Sequence, residues 1–251
     1  MTTQPEGTAA GERFAAGNEA LTRASFCTGE FAGAERLFSD AAAAAAADGD
    51  AMGLARATSG LAQVRHGRNV ATLVAGEVPA EADVAVEEDL AGRALGLWRE
   101  TGDAAGTGRA LFDLSLVFQV LRRDWDTGMR YLWQAVGLAE AVEEGGDLYG
   151  RAEIHRHLGF YYLLEDIRPR EAVRQFGHSL AVRERIGDPR LLPSALVALS
   201  EAEIAAGRPG RAIDLVRRAL TVARQASLLP WRVQDAEETL RKAEAAAQGG
   251  R

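Results

Sequence analysis

Apolar residues recur at three- and four-residue steps along most of this chain. Leu111, Leu114, Val117, Phe118 and Leu121 fall on one face of a 3.6-residue helix, as do Ile213, Val216, Ala219 and Leu220. Four Gly-Asp dipeptides punctuate the pattern, at Gly49-Asp50, Gly102-Asp103, Gly146-Asp147 and Gly187-Asp188, with steps of 53, 44 and 41 residues. Glycine accepts the left-handed backbone that ends a helix, and aspartate caps the next helix. Ala and Arg are strong helix formers, whereas β-branched residues are scarce, so the pattern predicts an all-α fold.

Each unit splits into two helices around a small–Gly–small order. Ser200, Gly207, Ala212, Val216 and Ala219 stand at offsets 0, 7, 12, 16 and 19, and Thr22, Gly29, Ala34, Phe38 and Ala41 repeat them. Small residues let two helices approach closely, the glycine between them permits the turn, and a bulky side chain fills the space beneath. The third and fourth units keep the order as Ser115, Gly128, Leu132, Ala135 and as Gly159, Ala172, Phe176, Ser179. In the second unit Gly60 and Gly67 are in place, and the second helix is delayed to about residues 82–100.

The runs Leu158-Gly159…Tyr162…Ala172…Phe176 and Leu199-Ser200…Gly207…Ala212…Ala219 resemble the tetratricopeptide repeat (TPR). The spacing is similar to the longer-helix variants found beside bacterial signalling regulators. This resemblance implies a right-handed α-solenoid of stacked antiparallel helix pairs. It implies a single TPR-like domain over residues 12–247, with about five pairs and a C-terminal capping helix from Trp231 to Ala247. Residues 68–83 (RNVATLVAGEVPAEAD) are expected to form an inserted loop, and residues 1–11 and 248–251 to be disordered.

Composition narrows the function. Lys and Arg number 29 against 36 Asp and Glu, a net charge of −7, which opposes nucleic-acid binding. The single cysteine, Cys27, excludes an intramolecular disulfide framework and a Cys-based zinc cluster. The longest run without a charge or a turn residue, Ala41 to Ala47, is far short of the roughly 20 residues of a membrane span. Met1 to Gly11 has neither the basic nor the apolar region of a secretory signal, so a cytoplasmic location is expected. A strong bias to Arg over Lys, with Lys242 as the single lysine, fits a GC-rich bacterial genome.

Catalytic signatures are sparse. There is no Gly-x-Ser-x-Gly elbow, no phosphate-binding loop and no His-Glu-x-x-His pair. Of the four histidines, His157 and His178 could meet Glu153 between two antiparallel helices, with His155 directed elsewhere; interhelical hydrogen bonding is the preferred reading over zinc. No catalytic residue, metal or cofactor is predicted. The first helix of each TPR pair lines the inner surface of such arrays, so the resemblance nominates Glu19, Arg23, Arg109, Phe112, Gln119, Glu153, Arg156, Phe160 and Glu201 as a ligand- or peptide-binding groove. The Lys and Asn of the family's carboxylate clamp are missing from these positions. The expectation is a non-enzymatic scaffold for a protein or peptide partner, regulatory or assembly-related, with no nucleic acid or membrane partner. The alternative is a small-molecule or catalytic pocket in the same groove. Exposed end helices leave a homodimer open.

Overall fold

The computed structural model describes residues 9–141 and 147–249. Among them are eleven α-helices and no strand. They are α1 (Ala9–Arg23), α2 (Ala32–Asp48), α3 (Ala51–Val74), α4 (Glu81–Thr101), α5 (Ala104–Leu116), α6 (Trp125–Ala141), α7 (Leu148–Leu164), α8 (Pro169–Ile186), α9 (Leu192–Ala205), α10 (Pro209–Gln225) and α11 (Pro230–Gly249). Single π-helical turns, Ala24–Thr28 and Val117–Leu121, extend α1 and α5. The helices pack as consecutive pairs. The first helices of successive pairs also touch, α1 with α3 and α3 with α5, then α7 with α9 and α9 with α11.

The Gly-Asp dipeptides do what their chemistry requires. Gly49, Gly102 and Gly187 close α2, α4 and α8 in the left-handed region, at φ 68°, 70° and 78°. The carboxylates of Asp50, Asp103 and Asp147 accept the backbone N–H of Gly53, Gly106 and Gly150 at 2.9, 2.7 and 2.8 Å. A cap of this kind stabilises a helix by about 1 kcal/mol.

Helix spacing, both inside a pair and between successive pairs, is set by an aromatic ring seated on a residue with no side chain. Phe176 of α8 is fully buried, and a Cβ added at Gly159 of α7 would stand 2.5 Å from its ring. Phe38 of α2 meets Gly60 of α3 in the same way, also at 2.5 Å, and lies against Gly17 of α1. The small positions thus form notches, and the bulky residue of the next helix fills them. Ala172, Phe176, Leu180, Leu196, Val216 and Ala236 continue this core through α8, α9, α10 and α11.

The described helices gather into two compact units divided at Gly146–Asp147, α1–α6 and α7–α11. Three expectations need correcting. The loop expected at 68–83 is mostly helix: α3 runs on to Val74 and α4 starts at Glu81, leaving residues 75–80 as the turn. The polar residues at the start of this stretch have partners on neighbouring helices. Buried Asn69 donates to Glu87 Oε2 at 2.8 Å, and Arg68 reaches Glu35 at 2.5 Å. The expected disordered ends lie largely outside the described residues, but residues 9–11 and 248–249 are helical. Finally, Gly29 and Gly207 make their turns at φ 74° and 75°, whereas Gly128 lies within α6 and Arg123 and Ile167 take the left-handed position at φ 54° and 47°.

Gly159→Ala should lower stability by about 1–2 kcal/mol in urea unfolding, since overpacking outweighs the gain in helix propensity. Gly177→Ala, where a new methyl meets nothing within 4 Å, should raise it by up to about 1 kcal/mol. Ile167 is 67% exposed, so its left-handed backbone has no packing to offset the strain; Ile167→Gly should stabilise by about 1 kcal/mol in the same assay.

Candidate functional site

The first unit holds its charged groups in closed contacts. Arg109 Nε donates to Asp113 Oδ1 at 3.2 Å, one turn along α5, and Gln63 Nε2 reaches Asp113 Oδ2 at 3.3 Å. Burial raises the Asp113 carboxyl above its ordinary range, and Arg109, Gln63 and His66 offset part of that rise. Phe112 is 1% exposed and lies 5.9 Å from the Arg109 guanidinium, while Gln119 is buried beside Met129. Fully buried Glu87 is bound by His66 Nδ1 and Asn69 Nδ2, each at 2.8 Å. Phe112 and Gln119 are therefore in the interior, Gln119 because Gly128 of α6 lies directly against its side chain. Glu19 and Arg23 are exposed on α1.

In the second unit four of the nominated residues come together. Helices α7, α9 and α11 form one layer. On α7, Glu153, Arg156 and Phe160 stand at helical steps and share a face. Arg183 reaches up from α8, 1% exposed, and its guanidinium pairs with Glu153 Oε1. The same group donates to the Leu191 carbonyl at 2.5 Å and to Ser194 Oγ at 2.6 Å. Arg156 is left 3.9 Å from Glu153 Oε2, with its Nε buried and without a hydrogen-bond partner. Its guanidinium lies 4.8 Å from the centre of the Phe160 ring, which meets Phe176 edge-on at 5.1 Å.

Helix α11 supplies the opposite wall. Burial, with Arg156 as the next contributor, lowers the Arg232 guanidinium to about 10, so it remains a cation at neutral pH but a destabilised one. Burial likewise lowers Arg156, with Glu153 working against the effect and Arg183 adding to it. Glu201 of α9 is raised first by burial and then by Asp235, and Asp235 is raised by burial against the pull of Arg156 and Lys242. The layer thus joins several arginines to the half-buried carboxyl of Glu201 and the exposed carboxyl of Asp235. Arg183, Arg232 and Asp235 are not among the nominated residues. Arg183 had a legible signal, because it extends the buried row Ala172, Phe176, Ser179 by one further turn of α8.

The histidine arrangement also differs from expectation. The His155 ring stands 5.3 Å from His178 and its Nδ1 lies 2.8 Å from Gln175 Oε1, whereas buried His157 meets Phe160 at 6.0 Å. Glu153 is engaged by Arg183, so the supposed Glu153–His157–His178 trio does not form around a common point. Among the described residues no three His, Cys, Asp or Glu side chains are placed to hold a metal ion, and no helix is long and apolar enough to cross a membrane. A cleft of about 490 Å³ between α10 and α11 is lined by Leu220, Leu240 and arginines. Of these, Arg217 and Arg224 lie 3.6 and 2.8 Å from Glu244 and Glu237.

A carboxyl raised on folding costs stability once pH exceeds its folded pKa, and that cost vanishes as pH falls below the unfolded value of about 4.3. Glu201→Gln should therefore melt about 2 °C above the parent at pH 7, with the difference closing by about pH 4 in thermal melts monitored by circular dichroism.

No family model matches the sequence, and no curated protein matches it. Solved structures do. BtubC (BKLC) from P. vanneervenii superposes with a TM-score of 0.55 at 19% identity, covering 87% of this chain and 92% of that one. A variant of a kinesin-light-chain-type protein from Podosopora anserina, with nearly identical TPR-like repeats, gives 0.54 at 14% identity over 76% and 88%. At these identities the likeness concerns the backbone, and with eleven helices stacked as pairs it identifies the architecture: the chain has the all-α fold of a TPR-like repeat protein.

Proposed function

We propose that this chain is a non-enzymatic binding module that holds a segment of a protein partner on the α7–α9–α11 layer of its second unit. The observation that carries the reading is the union of Arg156 with Phe160. A cation and an apolar ring are stacked at 4.8 Å on a helix face, and Arg156 is still one quarter exposed. Such a pair offers both charge recognition and an apolar anchor, the combination that dominates interface energetics. Stacked helix pairs add a long semi-rigid surface on which an extended or helical segment can lie. The resemblance to repeat regions beside bacterial regulators supports a bacterial, cytoplasmic role in regulation or assembly, and exposed end helices support a homodimer.

A small molecule on the same layer is the second reading, favoured by the burial that destabilises the cationic form of Arg232. Thermal-shift screening against metabolites, run beside affinity capture from a host lysate, separates the two. Arg156→Glu combined with Phe160→Ala should abolish capture of the lysate partner, at least tenfold by quantitative mass spectrometry, while helicity by circular dichroism is unchanged. Retained capture would move the binding surface elsewhere on the chain.

A further inference from the structure

Two imidazoles stand side by side across the α7–α8 pair. The contact that seats Phe176 on Gly159 draws the two helices together. His155 lies one turn before Gly159, and His178 lies two residues after Phe176. Their ring centres are 5.3 Å apart, with the ring planes inclined at 36°. His178 is exposed and His155 half-buried, so an ion can reach the pair from solvent. His155 Nδ1 lies 2.8 Å from Gln175 Oε1. An amide carbonyl oxygen accepts and does not donate, so the proton of the neutral His155 ring is on Nδ1 and the lone pair is on Nε2. Metal-binding histidines are held in this way, with one ring nitrogen donating to a fixed oxygen while the other presents its lone pair.

We propose that His155 and His178 form a two-histidine site for a late first-row divalent metal ion, with zinc as the test ion, bound across the α7–α8 pair. With Zn–N bonds of about 2.0–2.1 Å and each nitrogen about 1.1 Å from its ring centre, a tetrahedral ion holds two imidazole centres about 5.2 Å apart. The observed separation meets that span without movement of either helix. The remaining coordination positions face solvent and take water. The surroundings select against hard cations. Arg151 stands one turn before His155, and Arg174, one turn before His178, is paired with Glu171. Calcium and magnesium need carboxylate or carbonyl oxygens and a negative field, whereas zinc, nickel and copper bind neutral imidazole nitrogen. This site does not rest on the reading of the α7–α9–α11 layer as a binding surface.

The experiment uses the full chain without a tag, labelled with nitrogen-15 in its four histidines, whose ring nitrogens are followed by long-range proton–nitrogen correlation. Zinc chloride should move the ring resonances of His155 and His178 together and saturably, leaving those of His66 and His157 in place. Calcium chloride should move none of them. His178→Ala should weaken zinc binding by about tenfold or more, read on His155 and by calorimetry. It should also abolish the rise in melting temperature that zinc gives the parent, since an ion bound only to the folded chain stabilises it. His155→Ala, read on His178, is the second variant should the first fail to fold. No response to zinc, movement of only one of the two rings, equal movement of His66 or His157, an equal response to calcium, or unweakened binding in both variants overturns the site.

Discussion

The distance between neighbouring helices depends on one contact, an aromatic ring pressed onto a position that has no side chain. Phe176 over Gly159 and Phe38 over Gly60 leave no room for even a methyl group. The same close approach positions the charged groups of the second unit. With α8 held close under α7, the row that carries Ala172, Phe176 and Ser179 continues to Arg183, whose guanidinium arrives under Glu153. A wider separation would let water between the helices, and a fully buried arginine would lose its partners. A structural notch and a charged network are therefore consequences of one geometry.

The two units use charge differently. In the first, Asp113 is enclosed by Arg109, Gln63 and the field of His66, and Glu87 is held between His66 and Asn69. Such enclosed networks cost desolvation and return it through hydrogen bonds, so their natural role is to fix which helices pair. The second unit departs from that economy at Arg156 and Arg183, whose Nε atoms are both buried without a partner. Uncompensated charge that stability alone would remove is retained where something else needs it, and this gives the second unit the stronger claim to recognition.

Boundaries and repeat order were legible in the sequence because they depend on local chemistry. A Gly-Asp pair ends one helix and caps the next through atoms within four residues of each other, and Asp50, Asp103 and Asp147 show that capping bond. The small–Gly–small spacing was legible for the same reason, since a notch and its filler recur at fixed offsets. Features decided by a neighbouring helix were not legible. Arg68 and Asn69 open the stretch expected as a loop, yet Glu35 and Glu87 on neighbouring helices hold them within α3. Phe112 and Gln119 sit at inward offsets of a standard repeat, yet both are buried, Gln119 against Gly128 of α6. Arg123 and Ile167 occupy left-handed turns that the pattern assigns to glycine, because the short connections force the chain to reverse there whatever residue it carries.

The nominated site divides along the same line. Glu153, Arg156, Phe160 and Glu201 were found by counting offsets, and they share a layer because α7 and α9 are first helices of successive pairs. Arg232 and Asp235 were missed because α11 reads as a polar cap, a helix whose outer face needs only to be soluble. Its inner face packs on α9 as any first helix would, and half-buried Arg232 and exposed Asp235 stand one turn apart on it. A terminal helix in a repeat array thus does two jobs. It shields the last apolar layer with Ala236 and Ala243, and it closes the charged layer that α7 and α9 leave open. In the binding layer proposed above, the cap completes the charged face, so the residues that do so lie outside the repeat pattern by construction.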